Sequence, residues 1–353
     1  MPPPNSTIIG AGSSQETEYS LPGSPELRQI THAFLGNWVN VRPNLRPRYW
    51  QVWREIFLCL LMMISGYITH LLLTVRFGNV IGLEIGAPFA TWIGFWLNAL
   101  LTFGHEAAHN NLSPSRARND WLADWTIWLF FPQTTKTYRK SHWVHHLHLG
   151  DPNDTEISYH NCLSPWLLTK ALTGIYLFVL LIRYVFSQKR KTAPSSPAHQ
   201  AALQGLKVAA LIAPLRALTT HAILAGTALH FHCYATAVVW VAGAALIFPF
   251  LATVRQILEH RSVEAACATD FRQVSHGPVN RMFGTSVFSR FYGAAGFNRH
   301  LLHHWDPTVS YTRFDEMEVF FSGTPLNARL AGARSTYLTS LILLTRKALR
   351  DRF

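Results

Sequence analysis

Three histidine-rich motifs suggest the chemistry of this sequence. The first motif has the pattern H-x-x-x-H, and the other two have the pattern H-x-x-H-H. They comprise His105 and His109; His142, His145 and His146; and His300, His303 and His304. Because residues three or four apart lie on one helical face, each motif can direct several imidazole nitrogens at one point. Eight imidazoles exceed the ligand set of one zinc or haem iron, so the motifs favour two metal ions held side by side.

The ligand type also narrows the choice of metal. Iron is the metal expected for a redox site built on nitrogen ligands, although affinity alone favours copper. A single histidine is more often a hydrogen-bonded structural residue than a ligand. Three dense motifs, each bordering an apolar stretch, favour the metal site over that structural role.

The composition predicts an integral membrane protein. Of the 353 residues, 49% are hydrophobic and 14% are charged, whereas soluble proteins have about 25% charged residues. The formal net charge is +12, and the basic residues stand near the ends of apolar segments, where anionic lipid and the positive-inside rule account for them. No basic motif interleaved with aromatic residues is present, so no nucleic-acid partner is expected.

The four cysteines are far apart in the sequence. Cys59, Cys162, Cys233 and Cys267 form no C-x-x-C pair, and two of them lie in or beside apolar runs. This spacing predicts neither a disulfide nor an iron–sulfur site.

Four apolar stretches predict membrane spans. Ile56–Val75 has 20 residues without a charge, enough to cross the hydrocarbon core. The others are Ile85–Phe103, Leu206–His230 and Thr236–Val254. A fifth stretch, Leu163–Phe186, is assigned to the membrane surface, because an even number of crossings keeps all histidine motifs on one side. Arg216 falls inside the third span, where an arginine is costly unless it faces protein, water or a headgroup.

These segments predict an all-α integral membrane protein with four transmembrane helices in two hairpins, plus interfacial helices. A tryptophan-rich stretch, Trp121–Phe131, is too short to span and is predicted to form one helix that lies at the interface or dips into it. Four arginines before the first span indicate a cytoplasmic N-terminus, and with it cytoplasmic histidine motifs. They are Arg42, Arg46, Arg48 and Arg54.

The chain is divided into three parts on the same evidence. Residues 1–50 form an N-terminal tail, of which 1–25 are expected to be disordered and which shows no cleaved signal peptide. Residues 51–320 form the membrane domain, with a cytoplasmic cap that holds the di-metal site. Residues 321–353 form a cytoplasmic C-terminal tail.

The order of the motifs resembles the membrane fatty acid desaturase superfamily, which also contains hydroxylases, ketolases and acid decarboxylases. The resemblance covers roughly residues 50–320 and includes the segments Glu259-His260-Arg261 and Asn298-Arg299-His300. It implies a site of two iron ions. Similar proteins can place an asparagine one turn before the isolated histidine, where this chain has Gln256. The implied ligands are His105, His109, His142, His145, His146, His260, His300, His303 and His304.

The resemblance also implies a reaction class. The expected reaction is oxygen-dependent desaturation of a fatty acyl chain, and hydroxylation or decarboxylation to a terminal alkene stays open as an alternative. A non-enzymatic alternative is a membrane protein that binds metal or haem. Electrons must come from an external donor, a ferredoxin or a cytochrome b5-like carrier with its reductase, because the chain has no haem, iron–sulfur or dinucleotide motif of its own. A basic face is expected to dock that donor: Arg116, Arg118, Lys136, Arg139 and Lys140.

Three further sets of residues are predicted to support the site. Carboxylates near the motifs are expected to accept hydrogen bonds from ligand histidines, with a solvated surface charge as the alternative. These are Glu106, Asp151, Asp154 and Asp306. Arg139 is placed to meet a substrate carboxylate, unless it lies at the level of the lipid headgroups. Aromatic residues are candidates to line an apolar substrate tunnel, unless they are packing residues: Trp92, Phe95, Trp96 and Trp240.

Overall fold

The computed structural model describes residues 38–176, 179 and 197–351. Within these residues the chain is helical, and its extended pairing is limited to isolated bridges at Met282. The predicted all-α class is therefore confirmed. The expected disorder of residues 1–25 and most of the second half of Leu163–Phe186 lie outside the described residues.

The first hairpin consists of α1 (Tyr49–Glu84) and α2 (Gly86–Ala108). At about 1.5 Å per residue, each helix exceeds a hydrocarbon core of about 30 Å. Helix α1 is kinked at Gly78, whose φ of 84° is a conformation that favours glycine. Exposed apolar side chains follow the outer face of α1, where lipid would cover them. They are Phe57, Leu61, Ile68, Leu72 and Val75.

The second helical pair consists of α6 (Pro197–His230) and a long helix, Tyr234–His260. The long helix has three parts: α7 (Tyr234–Ala242), a π-helical turn (Gly243–Ile247) and α8 (Phe248–His260). In the described part of the chain, two helices are long and apolar enough to cross a membrane, namely α1 and the Tyr234–His260 helix.

Arg216 on α6 faces protein. Its Nη2 donates to the backbone oxygens of Trp128, at 3.2 Å, and Gln133, at 3.0 Å. These two bonds pair Nη2 with protein, so one of the favourable environments expected for this arginine is present, although Nε is buried without a partner among the described residues.

Shorter helices form a cap over one end of the long ones. In the region 116–176 they are α3 (Arg116–Thr126), α4 (Thr135–His148), the 3₁₀ turn Ile157–His160 and α5 (Pro165–Leu172). After α8 follow α9 (Val287–Tyr292), α10 (His300–Trp305), the 3₁₀ turn Tyr311–Arg313, α11 (Phe314–Ser322), α12 (Asn327–Gly332) and α13 (Tyr337–Arg350).

The tryptophan-rich stretch is helical only in its first half. Helix α3 ends at Thr126, and the chain then turns so that Trp128 packs into the core against Gly104. Trp121 and Trp125 remain exposed. The prediction of one helix over Trp121–Phe131 is therefore wrong, because burial of Trp128 takes the chain out of the helix.

Cys162 and Cys267 form a disulfide, so the prediction of no disulfide is wrong. The two residues are 105 positions apart. They meet because α8 packs against the Ile157–His160 turn and α5. Cys162 lies between that turn and α5, and Cys267 follows α8, so this packing brings the two cysteines together. Sequence spacing alone does not report a pairing of this kind.

Candidate metal centre

The nine histidines implied by the resemblance lie together where α2 and α8 end. They form two groups, and the ligand nitrogens within each group lie within 4.8 Å of one another. The groups adjoin, since the ring centroids of His146 and His304 are 4.6 Å apart. The first group contains His105, His109, His142, His146 and His303; the second contains His145, His260, His300 and His304. All nine side chains are buried.

Each H-x-x-H-H motif contributes to both groups. On α4, His142 and His146 belong to the first group and His145 belongs to the second. Helix α10 has the reverse arrangement, with His303 in the first group and the two outer histidines in the second. Adjacent helical residues project about 100° apart, so the neighbouring histidines of one motif point to different places. The motif spacing thus lets each of these two helices supply ligands to both groups, which α2 and α8 complete with His105, His109 and His260.

Outward hydrogen bonds set the orientation of the imidazole rings. The Nδ1 of His142 donates to the Glu156 carboxylate at 2.7 Å, and the Nδ1 of His145 donates to Asp154 at 2.9 Å. The Nδ1 of His260 donates to a backbone carbonyl at 2.9 Å. With the proton on Nδ1, each Nε2 keeps the lone pair that a metal ligand needs.

The inward nitrogens cannot satisfy one another by hydrogen bonding. The Nε2 of His146 lies 2.9 Å from the Nε2 atoms of both His142 and His303. One nitrogen carries at most one proton, so at most one of those contacts is a hydrogen bond in which His146 donates. Both ring nitrogens of His105 and of His109 are buried without a hydrogen-bond partner among the described residues. Buried unpaired nitrogens are rare in proteins, and these features fit bound metal ions.

Electrostatics favours the neutral, ligating form of most of these side chains. Burial and neighbouring imidazoles hold the pKa values of His146, His303 and His304 well below the usual range. Burial also lowers the pKa of His145, but Glu156 and Asp154 outweigh it and the pKa is raised. The Glu156 carboxyl shows the reverse balance: burial raises its pKa, but the adjacent His145 and His142 outweigh burial and lower it.

Asp154 is the one predicted carboxylate that contacts a ligand histidine. The prediction is wrong for Glu106, Asp151 and Asp306, whose hydrogen bonds go elsewhere. Their partners are Ser310 for Glu106, Ser275 for Asp151, and Trp38 and Thr308 for Asp306. These residues are close to histidines in sequence, but the backbone turns their side chains away.

Glu156 is the carboxylate that sequence reasoning missed. Its Oε1 accepts from His142, and its Oε2 accepts from the Nε2 of Gln256 at 2.9 Å. Gln256, the residue that differs from the asparagine of similar proteins, therefore positions Glu156. The only sequence feature that could have indicated Glu156 is its place as the second carboxylate in Asp154-Thr155-Glu156. The direction of its side chain depends on the turn that leads into Ile157–His160.

Arg139 holds the scaffold together and does not face a substrate. Its Nε donates to the carbonyl of Ala108 at 2.7 Å, and its Nη2 donates to the carbonyl of Ala107 at 2.9 Å. The same guanidinium pairs with Asp120. Arg139 is buried, so both predictions made for it, the substrate contact and a place on the basic face, are wrong.

One cavity adjoins the histidine groups, and a larger one lies near them in the described part of the chain. A cavity of about 30 Å³ is lined by His105 of the first group, His260 of the second and the ring of Phe297. A larger cavity of about 380 Å³ lies between α1 and residues 290–299. The aromatic residues predicted to line a tunnel line neither cavity, and Trp96 and Trp240 are buried in the main apolar core.

Comparison with known families agrees with this site. A family model described as Fatty acid desaturase matches residues 85–320, more than half of the chain. The chain therefore belongs to the fatty acid desaturase family, as the motifs predicted. No curated protein matches the chain at a significant level. Membership of this family indicates a membrane-associated, metal-dependent oxidoreductase that uses dioxygen and acts on a lipid.

Proposed function

We propose that this chain is a di-iron, oxygen-dependent desaturase that introduces a double bond into a fatty acyl chain. The observation that carries the proposal is the pair of adjoining histidine groups, in which nine imidazoles supply the ligand set. A pair of iron ions bound there would supply the dioxygen chemistry needed to remove hydrogen from an unactivated methylene.

The chain's own residues orient the ligands and exclude water. Asp154 and Glu156 fix the ring directions of His145 and His142 through Nδ1, and such supporting bonds stabilise metal ligands in one orientation. The ring of Phe297 lies 4.5 Å from the His105 ring and covers the groups on one side. A dry and rigid surrounding of this kind limits side reactions with water.

The proposed topology has four membrane spans in two hairpins, with the cap on the cytoplasmic side. The first hairpin is α1 and α2; the second is α6 and the Tyr234–His260 helix. Even crossing numbers account for histidines at the ends of both α2 and α8. The Cys162–Cys267 disulfide opposes the cytoplasmic placement, because disulfides are uncommon in the reducing cytosol.

We propose the same division of the chain that the sequence predicts, namely a membrane domain over residues 51–320 between tails 1–50 and 321–353. Helix α13 of the last part packs on α8, burying Tyr337 and Leu344. This contact attaches the described portion of that tail to the cap.

An acidic ferredoxin or cytochrome b5-like carrier, with its reductase, is the proposed electron donor. Four residues of the predicted basic face are exposed on α3 and α4, and their charge would steer an acidic carrier. They are Arg116, Arg118, Lys136 and Lys140.

The experiment that tests the reaction uses the purified full chain, a C16–C18 acyl substrate panel and mass spectrometry. With reduced ferredoxin and its reductase, we expect products that have lost two hydrogens and gained an internal double bond. With a reduced nicotinamide alone, we expect no turnover. Hydroxy acids or terminal alkenes as the products would contradict desaturation and indicate hydroxylation or decarboxylation. Full activity without a carrier would contradict the need for an external electron donor.

A further inference from the structure

The larger cavity changes in polarity from its mouth to its inner end. Its volume of about 380 Å³ falls in the range of about 300–1,000 Å³ found for small-ligand sites. At the mouth, the side chains of Arg48 and Arg54 are 45% and 54% exposed. At the inner end, Cys59 and Phe103 are 3% and 1% exposed. A cavity of this form matches an amphiphile whose headgroup stays near the surface.

The charged lining of this cavity is predominantly positive. Four arginines and two carboxylates line it, a net charge of +2. The six residues are Arg48, Arg54, Arg290, Arg299, Glu55 and Asp315. Arg290 is exposed and, among the described residues, has no carboxylate within ion-pair distance. Arg48, Arg54 and Arg299 already pair with the carboxylates of Glu316, Glu55 and Asp315. The positive charge of the lining that no described carboxylate neutralises is therefore that of Arg290.

The inner end of the cavity shares a wall with the histidine groups. Gly296 and Asn298 line the cavity, and Phe297 between them lies against the groups. Its ring centroid is 4.5 Å from that of His105 and 4.7 Å from that of His300. Phe103, which also lines the cavity, precedes His105 by two residues. A chain held in the cavity would thus lie beside the histidine groups, on the other side of Phe297.

We propose that this arginine cavity binds the anionic headgroup of the acyl substrate, so that the substrate carries a carboxylate or a phosphate. The inference rests on the proposed desaturase function and adds the class of headgroup to it. Guanidinium groups match the geometry of carboxylate and phosphate oxygens through paired N–H donors. A neutral headgroup would leave the charge of Arg290 uncompensated.

The test is direct binding, which does not require turnover. The full chain in phosphatidylcholine nanodiscs is titrated with palmitate, hexadecyl phosphate and hexadecanol, and empty nanodiscs give the background. We expect one or both anions to bind about tenfold more tightly than hexadecanol. Tighter palmitate binding identifies a carboxylate headgroup, and tighter hexadecyl phosphate binding identifies a phosphate. Equal affinity for the alcohol and both anions overturns the proposal.

Two variants of opposite expected effect separate charge from folding. Arg290→Gln should weaken anion binding about three- to tenfold, a modest effect because the side chain is exposed. Glu55→Gln, which removes a carboxylate from the lining, should strengthen anion binding, an effect that misfolding does not produce. Hexadecanol binding should change in neither variant. Arg346→Gln, an exposed charge loss on α13, is the matched control and should leave all three affinities unchanged.

Anion affinity that is insensitive to both Arg290→Gln and Glu55→Gln would assign binding to another place and contradict the proposal. Failure of the headgroup proposal can be distinguished from failure of the proposed desaturase function. Desaturase products without anion preference refute the headgroup assignment alone. Anion-selective binding with no desaturated product refutes the reaction and leaves the binding site.

Discussion

Replacement of His145 by alanine is expected to abolish turnover and to reduce bound iron from two ions to one. The second histidine group has four members, so this change leaves three and should release its metal, while the five members of the first group keep theirs. Loss of a supporting hydrogen bond costs about 10–100-fold in metal affinity or activity, and loss of a ligand should cost more. Iron content and product formation are the measurements.

His148→Ala is the matched control for this substitution. His148 lies on the same helix, α4, but its side chain is 42% exposed and its nearest carboxylate, Asp151, is 3.9 Å away. Alanine favours the helix at both positions, so both variants should accumulate in the membrane at the wild-type level. Full iron content in His145→Ala, or equal loss in both variants, would contradict the role given to the second group.

Glu156→Gln is expected to lower activity or iron affinity by about 10–100-fold. The carboxylate accepts hydrogen bonds from both His142 and Gln256. An amide has one acceptor oxygen, so glutamine cannot replace both bonds with the same geometry. The variant keeps the shape of the side chain, which makes its effect specific to charge and acceptor capacity. Iron affinity and the rate of product formation are compared with those of wild type.

A double-mutant cycle tests whether Gln256 acts through Glu156. Gln256→Ala alone should reduce activity, and it should add little in the Glu156→Gln background because the two side chains share one hydrogen bond. Glu264→Gln, an exposed charge change in the same cap, is the control and should be close to neutral. Additive losses from Glu156→Gln and Gln256→Ala would separate the two residues and remove the positioning role.

Features that depend on local spacing could be predicted from the sequence. The apolar runs predicted the helices of the first hairpin, because burial and lipid exposure act on consecutive residues. The spacing of His142, His145 and His146 predicted rings on one helix near a common centre. The division of these three histidines between two groups also follows from helical geometry. Which group each one joins depends on the histidines that α10 places opposite α4.

Features that depend on direction or distant contact could not be predicted. Asp306 is two residues after His304, yet it turns to Trp38, whereas Asp154 is nine residues after His145 and contacts it. The contact between Cys162 and Cys267 depends on how α8 packs, which no local pattern encodes. Arg139 has the sequence position of a substrate contact, but carbonyls at the end of α2 satisfy its donors.

The proposed function requires that the nine histidines hold two iron ions in a non-haem centre. The most direct measurement is iron per chain by elemental analysis, combined with an optical spectrum of the same purified protein. We expect two irons per chain and no Soret band. A Soret band, or iron near zero with another metal in its place, would contradict it.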